Sequence, residues 1–269
     1  MTHRIACFGG VYNNHLALEA VCRDARRRGI DSLYCLGDMG AFGPHPDKVF
    51  PILKRYDVNC LKGNYDDSVA RDLPDCQCGY TDPQDNHFAR LSYDYTLKNT
   101  SEEHKQFLAS LPDSIRLEIG GVGILLCHGS PRRVNEFLWE SSTPTHLLEQ
   151  FCDDYDADII LATHTGIHWQ RELSAGKRFA NVGVIGRPAN DGHTNVWYTI
   201  VSIVVSDQPA LESPGVEIEF VRLEYDYLRL AKEMREENIP PEFIESITSG
   251  WWTTCLEILP FKERVRGKF

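Results

Sequence analysis

Nowhere in the chain do apolar residues run on for the roughly 18 to 20 positions that a membrane-crossing helix needs, so no membrane span is expected. The opening Met1-Thr2-His3-Arg4 passes straight into a short apolar strand, without the apolar core of a signal peptide, which reads as a cytoplasmic chain. Positive charge is scarce: 28 Lys and Arg stand against 39 Asp and Glu, a net charge of −11. That balance repels phosphate backbones at long range and excludes a broad nucleic-acid surface. A metal or an arginine inside a cleft can still reverse the field locally and admit a small phosphorylated ligand. A zinc knuckle is missing too, because Cys76 and Cys78 are one residue apart and no second pair lies nearby. The nine cysteines are an odd number, and several sit in apolar runs (Cys7, Cys35, Cys127). They read as buried reduced thiols of a reducing compartment. Internal repeats and low-complexity segments are absent as well.

What is present is enough for a large domain. The 269 residues, 42% hydrophobic and 25% charged, can build a core without disulfides or a structural metal. Five short apolar runs stand out: Ile5–Phe8, Leu33–Leu36, Val58–Leu61, Ile124–Cys127 and Ile159–Ala162. Continuous runs of this length read as strands buried on both faces. Between the early ones lie helical patterns. Leu18, Val21, Cys22 and Ala25 share a face ahead of Arg26-Arg27-Arg28-Gly29, and 46–56 reads as a second helix. Strands alternating with helices predict βαβ units, whose ligands bind at the carboxyl ends of the strands.

Later the pattern changes. Ile115, Leu117 and Ile119 alternate, Gly120-Gly121 turns, and 123–127 returns as a hairpin. The stretches 196–205 and 216–221 are rich in β-branched residues and read as neighbouring strands. The expected fold is therefore mixed α/β, a four-layer αββα sandwich of two mixed sheets flanked by helices. Residues 1–225 form the main domain, with a small helical insertion at about 66–112 as a cap over the strand ends. Residues 226–269 form a helical extension packed on the same domain, and Trp251-Trp252 within it suit packing or a homo-oligomer contact.

The polar residues just past the strands carry the chemistry. Asp38, Asn64, His128 and His164 follow four different strands and bring one carboxylate, one amide oxygen and two imidazoles to one sheet edge. That donor set suits Mn²⁺, Fe²⁺ or Zn²⁺. Singly, a strand-end Asp or Asn is more often a turn cap.

With these motifs in place, the sequence resembles the calcineurin-like metallophosphoesterases, in particular their small bacterial branch. The matching stretches are Leu36-Gly37-Asp38, Gly63-Asn64-Tyr65-Asp66, Cys127-His128-Gly129-Ser130-Pro131 and Thr163-His164-Thr165-Gly166. Gly40-Ala41-Phe42-Gly43-Pro44 and Asn181-Val182-Gly183-Val184-Ile185-Gly186 match in order and spacing as well. The resemblance implies two metals bridged by the Gly-Asp aspartate. For the second metal it implies Asp38, Asn64, His128 and His164, all present. For the first it implies positions 10, 12, 38 and 166, which hold Gly10, Tyr12, Asp38 and Gly166, so one ligand of four remains. Tyr65 stands where the family has its proton-donating histidine, and a phenol with a pKa near ~10 is poorly matched to that role.

Some residues could compensate. His168, His15 and Tyr12 could serve the first site, Gly9-Gly10 ahead of a helix could cradle a phosphate through backbone N–H groups, and Arg187 could contact one. Gly9-Gly10 is not a dinucleotide fingerprint, because Tyr12 and Asn13 stand where its further glycines belong. The expected cofactor is one divalent transition metal per chain (Mn, Fe or Zn). Asp38, Asn64, Tyr65 and His128 are the expected catalytic residues, and a small phosphorylated molecule is the expected partner. The function implied is hydrolysis of a phosphomonoester or phosphodiester by a metal-activated water, with altered or reduced activity. The alternative is a catalytically degenerate member that binds a phosphorylated ligand or a protein partner.

Overall fold

The computed structural model describes residues 1–30, 32–204, 215–266 and 268. In chain order the first half comprises β1 (Thr2–Phe8), α1 (His15–Arg27), β2 (Ser32–Cys35), α2 (Phe50–Arg55), β3 (Asn59–Cys60), α3 (Asn64–Ala70), α4 (Pro83–Asn99), α5 (Glu102–Ala109), β4 (Ser114–Ile119) and β5 (Val122–Cys127). The second half comprises α6 (Thr145–Asp154), β6 (Ile159–Ala162), β7 (Trp169–Glu172), β8 (Arg178–Asn181), β9 (Val196–Val204), β10 (Gly215–Leu223), α7 (Tyr227–Glu236), α8 (Pro241–Ser249) and α9 (Phe261–Arg264).

Two five-stranded mixed sheets result, ordered β10-β9-β1-β2-β3 and β4-β5-β6-β8-β7. β1, β2 and β3 run parallel, and so do β5, β6 and β8; the antiparallel pairs are β1 with β9, β9 with β10, β4 with β5 and β7 with β8. The 115–119/123–127 hairpin forms as β4 and β5, and β9 pairs with β10. Val205, at the end of the predicted strand, lies outside the described residues.

The central strands are apolar on both sides because both sides are covered. Ile5, Cys7, Leu36, Leu61, Ile124, Leu126, Ile159 and Leu161 meet between the two sheets. The alternate residues Ala6, Phe8, Leu33 and Cys35 face α1 and α2, while Leu125, Cys127, Ile160 and Ala162 face α6. Period-two side-chain alternation thus yields the four expected layers. α1 starts at Asn14, whose side chain accepts the Ala17 N–H at 3.0 Å, and ends in Arg26 and Arg27, where a cation suits the helix dipole.

Two expectations need correction. The helix read over 46–56 is a 3₁₀ turn over Pro46–Lys48 followed by α2, because Pro51 lacks an N–H and fits only the first turn of a helix. Cys76 and Cys78 are not reduced thiols: their Cα atoms lie 5.3 Å apart and a disulfide joins them, while the other seven cysteines are free and buried. The stretch read as an insertion carries α3, α4 and α5. Beyond 226, α7 and α8 pack on Phe88, and Asp85 of α4 accepts the Glu257 and Ile258 N–H groups. Among the described residues, no helix is long and apolar enough to cross a membrane.

Candidate metal centre

The two sheets meet at the carboxyl ends of β2, β3, β5 and β6, and backbone chemistry stitches those ends together. Thr163, after β6, donates its N–H to His128 O at 2.8 Å. Asp66, in the first turn of α3, accepts the N–H groups of Asp38 (2.7 Å), Met39 (3.0 Å) and Gly63 (2.8 Å). One carboxylate therefore binds the loop after β2 to the loop after β3. Burial first, and the Asp38 charge second, push its pKa up to about 6 against those three amides. Gly63 is required by close approach, since a Cβ there would collide with Asp38 Oδ1. Asp38 (φ 59°), His164 (φ 28°), Tyr12 (φ 51°) and Asn13 (φ 60°) all hold left-handed backbone. Such strain concentrates where a loop must aim a functional side chain.

Asp38, His128 and His164 converge, with one ligand atom from each lying within 4.8 Å of the others. His128 Nε2 is 3.2 Å from Asp38 Oδ2 and 3.2 Å from His164 Nδ1. Ligands about 2.0–2.2 Å from a shared ion, at tetrahedral to octahedral angles, sit roughly 3.0–3.5 Å apart, and the two distances from His128 fall in that range. Each group is oriented from behind. His128 Nδ1–H donates to Leu36 O at 2.6 Å, which leaves Nε2 facing the centre, and the Tyr65 N–H donates to Asp38 Oδ1 at 3.1 Å. Asn64 spends its Nδ2 on Cys76 O (2.8 Å) and Cys78 Sγ (3.4 Å). Its Oδ1 is buried without a partner, as is His164 Nε2. A carboxylate and two imidazoles that converge in this way fit a divalent-metal site, and the Asn64 amide oxygen is a further buried donor with no partner of its own.

The protonation states favour metal uptake on one histidine and oppose it on the other. Burial, and then the neighbouring His128, lower His164 to about 3, so it is neutral and free to ligate. Burial opposes a charge on His128, but Asp38 outweighs it and raises the pKa above the usual imidazole value. In metal-free protein the His128 proton contributes stability that is fully present below about 6.5 and is lost as pH rises through the raised value. A metal must displace that proton. The gap in melting temperature between metal-loaded and metal-free protein should therefore widen from pH 6 to pH 8, and a gap independent of pH would contradict this assignment.

The other expected residues are placed elsewhere. Tyr65 turns its hydroxyl away, donating to Ser92 Oγ at 2.9 Å, and burial raises its pKa well above normal. Gly10 donates its N–H to Gly37 O (3.0 Å), and the next donors, Tyr12 and Asn13, serve Asp38 O and Met39 O, so these amides are not free for an anion. Gly9 packs directly on Thr163. His168 packs against the tilted rings of Trp197 and Phe220, with ring centroids at 4.4 and 4.8 Å, and His15 lies 3.4 Å from Glu233. The first-metal positions Gly10, Tyr12 and Gly166 supply no second cluster: Trp252 Cη2 lies 3.1 Å from where a Gly166 side chain would begin. A first metal does not fit.

Three contributors escaped the sequence reading. Asp66 was visible in the Gly-Asn-Tyr-Asp run but not as the tie between loops. Phe137 covers His164 at 4.4 Å, and Asn181 holds the Thr163–Thr165 turn through Thr163 O (2.6 Å) and Thr165 Oγ1 (2.7 Å).

The calcineurin-like phosphoesterase superfamily domain matches residues 2–204. An uncharacterised protein of Methanocaldococcus jannaschii is 28% identical over 256 residues, 89% of this chain and 95% of its own. A metallophosphoesterase of Sphaerobacter thermophilus aligns with a TM-score of 0.66 at 25% identity, over 93% of this chain and 100% of its own. A hypothetical protein of Pyrococcus horikoshii aligns with a TM-score of 0.73 at 22% identity, over 92% and 98%, and shows the shared fold.

Proposed function

The chain belongs to the calcineurin-like phosphoesterase superfamily, and from that premise we propose that it hydrolyses phosphoesters with a single divalent metal held by Asp38, Asn64, His128 and His164. The observation that carries this reading is the convergence of Asp38, His128 and His164, and the unpartnered Asn64 Oδ1 supports it as a fourth donor. When bound, a divalent metal there polarises a phosphoryl oxygen and acidifies a water.

The chain's own residues do the rest. Tyr65 N–H and Leu36 O fix the Asp38 and His128 orientations, so no reorganisation is needed when charge develops. Burial of Asp38, His128 and His164 excludes competing water and strengthens each electrostatic contact. Tyr65 is engaged with Ser92 and holds its proton tightly, and the Asp66 carboxylate is taken up by three backbone N–H groups, so neither is placed to protonate the leaving group.

Substrates with acidic leaving groups should therefore be favoured. The test is a series of aryl phosphomonoesters and bis-aryl phosphodiesters of graded leaving-group pKa, assayed with Mn²⁺- and Zn²⁺-loaded protein. We expect metal-dependent turnover that falls about tenfold or more across the series as the leaving group becomes more basic. Turnover independent of leaving-group pKa would contradict the missing acid, and no turnover with any ester would contradict the hydrolase.

One observation favours a second reading, a member of the fold that binds a phosphorylated ligand or a protein partner without turnover. The first-metal positions are Gly10, Tyr12 and Gly166, and Trp252 packs against the last of them. Ligand binding without hydrolysis in the same series would support it.

A further inference from the structure

Arg187 follows the 181–186 loop and is only 6% exposed. Its guanidinium carbon lies 3.4 Å from the Trp252 ring centroid, 4.9 Å from Phe42 and 5.7 Å from Tyr12. Its Nε is buried with no hydrogen-bond partner. Tyr12, Tyr80 and Cys255 lie within electrostatic range of its charge, and burial raises the pKa of all three, so they are neutral around it. Aromatic faces offset only part of the cost of burying a cation, and buried charges are ordinarily paired. Among the described residues no carboxylate forms an ion pair with Arg187; Asp38 and Asp85 act only at longer range, on Tyr12 and Cys255.

The cage also adjoins the metal centre. Tyr12 lies within electrostatic range of both Arg187 and Asp38. Gly186, the residue before Arg187, packs on the Tyr12 ring and donates its N–H to Gly10 O at 2.8 Å. Trp252, the stacking partner, rests on Gly166, two residues past His164. Positions 10, 12 and 166, where a first metal does not fit, thus border a fixed organic cation.

We propose that Arg187 is a phosphoryl-binding residue whose missing partner is a phosphate oxyanion, so that a guanidinium supplies the positive charge on the side of the centre without a metal. A guanidinium presents several N–H donors in a planar fork matched to phosphate oxygens. The cavity it lines with Phe42, Met234, Phe243 and Thr254 has a volume of about 10 Å³, room for one water. Phosphate therefore needs the cage around the guanidinium to open, and the ring that covers it most closely, Trp252, is held by its side-chain N–H to Pro188 O (2.6 Å) and its backbone N–H to Asn190 Oδ1 (3.0 Å). The choice of a phosphoryl anion rests on the phosphoesterase reading; the orphaned cation does not.

The test is titration of inorganic phosphate into full-length, chelator-treated protein, followed by calorimetry and tryptophan emission. We expect saturable binding with an emission change, weakened at least about tenfold in Arg187→Met and partly restored in Arg187→Lys. Trp252→Phe should bind phosphate by calorimetry but lose most of the emission change. Should Arg187→Met fail to fold, Arg187→Lys and Trp252→Phe carry the test. Unaltered binding in Arg187→Met, no saturable binding by the wild type, or a full emission change in Trp252→Phe would each overturn the proposal. Metal-dependent turnover without phosphate binding to metal-free protein would overturn this inference and leave the hydrolase standing. Arg187-dependent binding by a protein that hydrolyses nothing would do the reverse.

Discussion

His128→Ala and His164→Ala should each weaken binding of Mn²⁺ or Zn²⁺ by roughly 100-fold or more and abolish phosphoester turnover. His128 stands between the other two ligands, 3.2 Å from Asp38 and 3.2 Å from His164, so its loss leaves a carboxylate and one imidazole that no longer share a neighbour. Loss of His164 removes the one imidazole that burial keeps neutral. Both changes also free volume in a buried site, so folding must be checked by circular dichroism. His168→Ala is the matched control: its ring is buried and neutral too, but it packs against Trp197 and Phe220, away from Asp38. It should lose some stability and keep its metal. Calorimetric titration separates the outcomes, and equal metal affinity in His128→Ala would contradict the assigned ligand set.

Gly63→Ala should be nearly as damaging, for a steric reason. The backbone at Gly63 (φ −91°, ψ 179°) is open to any residue, so dihedral strain is not at issue. The added methyl would collide with Asp38 Oδ1 and lie 2.7 Å from Asp38 N and 2.8 Å from His128 Cε1. Relief requires moving the β2 loop that Asp66 clamps, and overpacking of this kind costs about 3 kcal/mol. The expected result is a melting temperature lower by roughly 6–10 °C together with lost metal affinity. Gly121→Ala supplies the contrast. Its Cβ would meet nothing within 4 Å, so only the positive φ of 82° is penalised and metal binding should be unchanged. Thermal scans and metal titration of both variants decide the matter; a Gly63→Ala protein with native metal affinity would contradict the packing described.

The parts of this architecture that were legible in the sequence share one physical basis. Short apolar runs ending in glycine and one polar residue are what a strand buried on both faces looks like, and the polar residue falls at the carboxyl end where loops converge. Asp38, Asn64, His128 and His164 could be read that way because each is tied to its own strand. What could not be read depends on side-chain direction or on contacts between distant segments. Tyr65 is in the right place by position, yet its hydroxyl turns to Ser92 in α4. Gly9-Gly10 resemble an anion cradle until the Gly10 N–H is seen to serve Gly37 O. The Arg187 cage draws Tyr12, Phe42 and Trp252 from three remote stretches, and no local pattern announces it. The break between the Pro46 turn and α2 was signalled by Pro51 itself, since a proline suits the first turn of a helix and breaks its interior.

The most direct test of the central claim is metal content per chain, by plasma mass spectrometry on protein purified without chelators and incubated with Mn²⁺ or Zn²⁺, beside a His128→Ala/His164→Ala variant. One metal per chain in the wild type and none in the variant is the predicted result. Two metals per chain would contradict the loss of the first site at Gly10, Tyr12 and Gly166, and none would contradict the centre built from Asp38, Asn64, His128 and His164.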